Sequence, residues 1–107
     1  MISSQMLKGM LEGCILKIIS LQDTYAYEIS NKLEKYGFGN ISEGTVYPVI
    51  LRLQKSNQIE PVLKESLSGP PRKYYHLTEE GKKSLNEFLT NWKEFSDAIQ
   101  KLIRENS

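Results

Sequence analysis

Hydroxyl side chains fall at Ser42, Thr45 and Tyr47, with Gly44 among them, Pro48 just after, and the cations Arg52 and Lys55 further along the same run. Those residue types at that spacing suit the holding of an anion. A helix start rich in small and hydroxyl residues brings backbone amides and hydroxyls close to a phosphate, and cations behind it add charge. A second pair of cations, Arg72 and Lys73, follows a Ser-Gly-Pro-Pro run, where it would add further phosphate attraction. Glu43 is the awkward member of the first group: it stabilises a helix start but repels phosphate unless it faces a base donor or solvent. Each assignment has a plainer competitor. Tyr47 would serve equally as core, Arg52 as an internal salt-bridge partner, Lys55 as a solvated charge, and Arg72 and Lys73 as ordinary turn surface.

Catalysis finds no comparable set. His76 is the single histidine and Cys14 the single cysteine, and no carboxylates cluster around them, so no nucleophile, base and oxyanion donor can be named together. Nor does His76 have a second ligand at metal spacing. No catalytic residue, metal site or cofactor is expected. Cys14 cannot close an internal disulfide and lies within an apolar pattern, which makes it a buried small hydrophobe.

At 107 residues and 12.3 kDa the chain has room for one domain with a modest core, of the kind a partner completes. Charged residues at 25% and hydrophobic ones at 39% describe a folded protein and argue against disorder. A net charge of +1 does not by itself suggest nucleic acid. Its distribution is mildly informative: residues 41–77 carry Arg52, Lys55, Lys64, Arg72 and Lys73 against Glu43, Glu60 and Glu65, while residues 78–107 lean acidic. A solvated surface explains that bias equally well. Lys8, Glu12 and Lys17 interrupt the most apolar segment, and no signal-peptide pattern is present, so a soluble cytoplasmic protein is expected.

The elements that must position these residues follow from periodicity. Residues 6–21 are apolar around most of a helical circumference, with Gly9 and Gly13 on a shared face where another helix packs closely or a cavity remains. Asp23 and Thr24 are suited to cap a second helix carrying Tyr25, Ile29, Leu33 and Tyr36, with Gly37 as its stop. After a connection of about five residues, short enough to make the two helices cross, Ser42 caps a third helix with Val46, Val49 or Ile50, and Leu53 inward. Two β-prone runs flank the Ser-Gly-Pro-Pro signal and form a hairpin. Pro61 suits an edge strand, and Tyr74 and Tyr75 alternate faces so that only one is core. Thr78 then caps a long helix in which Leu85, Phe88, Trp92, Phe95, Ile99 and Leu102 step by 3, 4, 3, 4, 3. That is an a/d seam, widened by Leu89 and Ile103, too long for so small a body to cover; it calls for a partner, most simply a second copy.

Helix, helix, helix, hairpin, helix is the order of a winged helix-turn-helix with an added dimerisation helix: mainly α with a β-hairpin wing, divided as residues 1–78 for the winged helix-turn-helix and 79–107 for the dimerisation helix. The strings YAYEISNKL, ISEGTVYPVILRLQKSNQI and GPPRKYYHLTEEGKKSL resemble the PadR family of bacterial transcriptional regulators, in particular its small subfamily with a single C-terminal helix. Ala26 departs from the glycine common there. The resemblance implies a homodimeric repressor on a pseudo-palindromic double-stranded DNA operator, with DNA-binding residues at Ser42, Thr45, Tyr47, Pro48, Arg52, Arg72 and Lys73. Pro48 would place its unpaired carbonyl and slight bend at the groove-facing end of the recognition helix. Trp92 matches the tryptophan that, in multidrug-sensing members, stacks on flat aromatic ligands at the dimer centre. The resemblance thus implies a planar aromatic ligand among Met6, Gly13, Leu89 and Trp92; the plainer reading makes Trp92 a seam anchor. A winged-helix adaptor that binds protein rather than DNA is the alternative from another class.

Overall fold

The computed structural model describes residues 2–66 and 69–105, without the side chains of residues 65, 66, 70, 71 and 72. Helices α1 (Ser4–Lys8), α2 (Leu11–Leu21), α3 (Ala26–Lys35) and α4 (Glu43–Lys55) precede a hairpin of β1 (Ile59–Ser66) and β2 (Gly69–Leu77), and α5 (Glu79–Arg104) closes the chain.

The single first helix expected over residues 6–21 is instead two. Gly9 ends α1, and Met10 opens α2 without a side-chain cap, so Gly9 and Gly13 do not share a helical face. An added Cβ on Gly9 would meet nothing within 4 Å, whereas on Gly13 it would fall 2.2 Å from the Phe88 ring. Close packing therefore holds at Gly13, where α5 crosses α2.

Asp23 and Thr24 do not cap α3. Tyr25 occupies the cap position and its side chain does not cap the helix, because both predicted caps are engaged with the hairpin. The Thr24 amide donates to the Tyr75 carbonyl at 3.3 Å and the Tyr75 amide donates back at 2.7 Å, while Asp23 pairs with His76. The Thr24 hydroxyl spans α3's first turn to Glu28 at 2.6 Å.

Gly37 does stop α3. At φ +98° it supports a Schellman closure, with its amide bonded to Glu34 O and that of Phe38 to Leu33 O. The connection to α4 runs over residues 36–42, somewhat longer than expected. Helix α4 ends in the same way through a residue other than glycine: Asn57, at φ 61°, donates to Gln54 O while Gln58 donates to Leu53 O. Asparagine tolerates that left-handed conformation.

Pairing in the hairpin runs from Ile59 opposite Leu77, through Pro61 opposite Tyr75, to Lys64 opposite Arg72, with an irregularity before Ser66 and Gly69. Tyr75 turns its amide and carbonyl outward to Thr24, so Pro61 opposes it in a non-hydrogen-bonded pair and its missing N–H faces the free edge, where it costs no ladder bond. Tyr75 is buried and Tyr74 is not. Of the predicted Ser-Gly-Pro-Pro turn, Ser68 lies outside the described residues, as does Leu67 before it, while Gly69, Pro70 and Pro71 belong to β2 rather than to a turn.

The core joins Leu11, Ile15, Ile18 and Ile19 of α2, Ile29 and Leu33 of α3, and Val46, Val49, Ile50 and Leu53 of α4 to Ile59, Tyr75 and Leu77 of the hairpin and Leu85 of α5. Val49 and Ile50 are both inward. Cys14 is only half-buried at its margin, and burial still raises its thiol pKa, which disfavours the reactive thiolate.

Candidate nucleic-acid interface

Helix α4 presents its start to solvent. The Ser42 hydroxyl accepts from the Thr45 amide at 3.3 Å, fixing that start as a capped turn, and Ser30 ties α3 to the same corner through the Ile41 carbonyl. With Val46, Val49, Ile50 and Leu53 buried, Gly44, Pro48, Leu51 and Lys55 lie outward, and Thr45, Tyr47 and Arg52 are also exposed. Pro48 stands inside a continuous helix, and the carbonyl it leaves without a donor is that of Gly44, on the exposed side.

Two flanks of α4 differ. On one, Thr45, Pro48, Val49 and Arg52 line a mostly apolar hollow of about 500 Å³ with Ser4, Leu7 and Leu11 of the first helices. Arg52 is not free there: its Nε lies 3.1 Å from Glu12 Oε1, with both side chains at least half exposed. On the other flank Glu43 and Tyr47 line a notch of about 320 Å³ with Tyr25, Tyr27, Lys73 and Tyr75. Burial, and then the neighbouring Tyr47 phenol, raise the pKa of the Tyr75 hydroxyl. The wing thus reaches α4 through a tyrosine pair, and the two elements share one face.

The wing is also tied to the turn before α3. His76 Nδ1 lies 2.8 Å from Asp23 Oδ1 and Lys64 Nζ 3.9 Å from Asp23 Oδ2. The Lys64 ammonium also sits 4.7 Å from the centre of the Tyr74 ring, which meets Tyr25 edge-on at 5.1 Å. Lys73 is exposed on this wing. The Arg72 side chain lies outside the described residues, its backbone pairing with Lys64. Among the described residues no cluster of three or more His, Cys, Asp or Glu could hold a metal ion.

A capped helix flanked by a wing is matched by sequence. Residues 15–87 fit the family model described as the transcriptional regulator PadR-like family. The chain belongs to the PadR family. A PadR-like transcriptional regulator from Bacillus cereus is 51% identical, with a TM-score of 0.89 over 96% of this chain and all of that one. A Streptococcus transcriptional regulator is 35% identical, with a TM-score of 0.86 over 95% of this chain and 100% of its own. An uncharacterised Lysinibacillus sphaericus protein shares 36% identity over 92% of this chain and 93% of its own. PadR proteins are transcription regulators and not enzymes, and the winged-helix architecture expected from element order is the one found.

In this PadR chain the last helix behaves differently from the body. Thr78 caps α5 by accepting from the Gly81 amide at 3.0 Å, and its own hydroxyl donates to Asn57 O at 2.6 Å. Gly81 and Leu85 are buried and Phe88 is half-buried, but Trp92 is 48% and Phe95 54% exposed, Ile99 37%, and Leu102 and Ile103 about three-quarters. The seam reads outward along the rest of the helix. Of the residues expected around a ligand, Leu89 and Trp92 are exposed on α5, Met6 stands free on α1, and Phe88 fills the space over Gly13. Leu89 and Phe88 also wall an almost wholly apolar groove of about 510 Å³ with Cys14, Ile18, Leu21 and Tyr36. Among the described residues no helix is long and apolar enough to cross a membrane.

Sequence reasoning missed Tyr27 and the Glu12 partner of Arg52. Tyr27 was findable: it lies off the stripe of Ile29 and Leu33, and a large aromatic there must be exposed. The Glu12 contact links α2 to α4 across forty positions, and no local pattern signals that.

Proposed function

We propose that two copies of this chain pair through α5 and bind a pseudo-palindromic operator as a cytoplasmic repressor, with α4 of each protomer in a major groove and the wing on the flanking backbone. The observation that carries this is the division of exposed side chains. Exposed hydroxyls and cations, among them Ser42, Thr45, Tyr47, Arg52, Lys55 and Lys73, gather on α4 and the wing beside the exposed Leu51, Val62 and Leu63, while an unbroken row of large apolar groups lines the far half of α5. The first set suits DNA and the second a copy of itself. Half-sites one helical turn apart then match the two-fold axis.

Ser42, Thr45, Tyr47, Pro48 and Arg52 belong to the groove-facing set, and Arg72 and Lys73 to the wing. Thr45 and Tyr47 contribute selectivity; Arg72 and Lys73 contribute attraction to any sequence. Arg52, paired with Glu12 in the free chain, is a reserve contact that takes a phosphate only where that pair opens. A planar aromatic compound that stacks on Trp92 at the two-fold axis, beside Leu89 and with Met6 at its margin, would change the angle between protomers and release the DNA; Gly13, expected there too, is covered by Phe88 and is left out. Support for that last step is the half-exposed indole at a seam position, where a tight two-stranded contact accommodates it poorly.

The test is a gel shift on the DNA upstream of the chain's own coding region, with and without planar aromatic cations. If a dimer neutralises about 6 to 10 phosphates, affinity falls about 10³ to 10⁵-fold between 50 and 200 mM salt. Arg72→Ala with Lys73→Ala should weaken binding to all duplexes and flatten that dependence, whereas Thr45→Ala should affect the operator alone. A salt-independent interaction would rule the reading out.

A further inference from the structure

We infer that the leading end of α4 is built for close approach to a base edge, with Gly44 clearing the space and the Glu43 carboxylate accepting a hydrogen bond from the amino group of a base, cytosine first. This rests on the DNA-binding reading above. Glu43 is the first residue of α4, and in a helix-turn-helix the N-terminal residues of the second helix contact base edges. Its side chain is exposed and lines the notch shared with Tyr27, Tyr47 and Lys73. It has no ion-pair partner among the described residues.

A carboxylate so placed has few favourable neighbours on a duplex. It is an acceptor only, and every phosphate repels it. Within the major groove the donors are the cytosine N4 and adenine N6 amino groups, while guanine O6 and N7 and thymine O4 are acceptors that it would oppose. Glutamate at this position therefore discriminates between bases. That explains why an acid stands in an otherwise phosphate-friendly set.

Gly44 supplies an independent observation. A Cβ added there would meet only Ser42 Oγ, at 3.6 Å, an ordinary contact, and Gly44 is not among the residues of positive φ. Neither internal packing nor backbone conformation asks for glycine, although glycine weakens a helix relative to alanine. By contrast, Gly13 and Gly81 are each pressed by a neighbour within the chain. Gly9, at the end of α1, is likewise uncrowded and of ordinary φ, but only Gly44 stands in the first turn of α4 beside Glu43, where its smallness leaves room for something outside the molecule.

The experiment is selection from a randomised 30-base-pair duplex library by the wild type and by Glu43→Ala, Glu43→Gln and Gly44→Ala, with melting curves for each. The wild type is expected to select cytosine or adenine at one position in each half-site. Glu43→Ala should relax that position alone by about tenfold or more, and Glu43→Gln should move it toward adenine, which glutamine reads through N6 and N7. Gly44→Ala should melt no lower than wild type yet bind at least about tenfold more weakly. If Glu43→Ala tightens binding to every sequence and keeps all preferences, the carboxylate merely repels phosphate and the inference fails. Undiminished binding by Gly44→Ala removes the close approach. A wild type that enriches no sequence overturns the DNA-binding reading itself, and this inference with it.

Discussion

Helices α4 and α5 begin alike and end differently. Each opens on a hydroxyl cap, Ser42 and Thr78, with an acid in its first turn. Helix α4 then spends its apolar stripe inside the chain: Val46, Val49, Ile50 and Leu53 are all at most 4% exposed. Helix α5, twice as long at 26 residues against 13, buries Gly81 and Leu85 and then carries Trp92, Phe95, Ile99 and Leu102 into solvent. A stripe that the chain can satisfy fixes the fold, and one that it cannot satisfy specifies a partner. The outer face of α4 is mixed, with Thr45, Tyr47, Arg52 and Lys55 beside Gly44, Pro48 and Leu51, whereas the far half of α5 is lined with large apolar groups, the kind of surface that an apolar partner covers.

The sharpest way to break this contrast is to make the α5 stripe polar. Phe95→Asp with Ile99→Asp should leave the melting of the winged body nearly intact while raising the dimer dissociation constant by about a thousandfold or more, since each buried large apolar side chain contributes about 1.5 to 3 kcal/mol. Sedimentation against concentration reads the outcome, and operator binding should fall with it. An unchanged sedimentation profile would mean that the stripe faces something other than a second copy.

Two buried glycines, Gly81 within α5 and Gly13 beneath it on α2, sharpen the contrast within the helix itself. At Gly81 a Cβ would come 2.0 Å from the Gln58 backbone carbonyl, whereas at Gly13 it would meet the Phe88 side chain. Backbone cannot give way as a half-buried ring can. Gly81→Ala should therefore cost more than Gly13→Ala, about 3 kcal/mol or above against about 1 to 3, measured by denaturant unfolding. Equal costs would show that Phe88 is as firmly held as the hairpin joint.

The sequence made the helices, the hairpin and the seam legible because each rests on local periodicity or on a cap. Ser42 and Thr78 cap as their positions suggest, and Pro61 sits on a free edge as its missing donor requires. Thr24 misled because a residue suited to capping is equally suited to a β-bridge, and Tyr75, far along the chain, decided between them. Gly9 misled because apolar spacing continues across the break between α1 and α2, so periodicity alone reads one helix. Around α4 the residue types were legible but their company was not. That Arg52 meets Glu12, or that Glu43 shares a notch with Tyr27, depends on how helices cross, which no spacing within one helix encodes.

The smallest expected effect tests the polar side of the contrast. Arg52 and Glu12 are 61% and 50% exposed as side chains, and an exposed pair contributes about 0 to 1 kcal/mol, so Glu12→Gln should scarcely move the unfolding midpoint. Its effect on DNA should be larger than its effect on folding. Removing the carboxylate frees the guanidinium on α4 and deletes a negative charge beside it. If Arg52 then takes a phosphate in each protomer, the slope of log affinity against log salt steepens by about 0.9 for each one gained. Affinity should rise most at low salt, where the counterion term is greatest. A steeper slope at unchanged stability identifies Arg52 as a contact held in reserve by Glu12. An unchanged slope assigns the pair to the packing of α2 on α4, and moves the cationic work of binding to Lys55 and the wing.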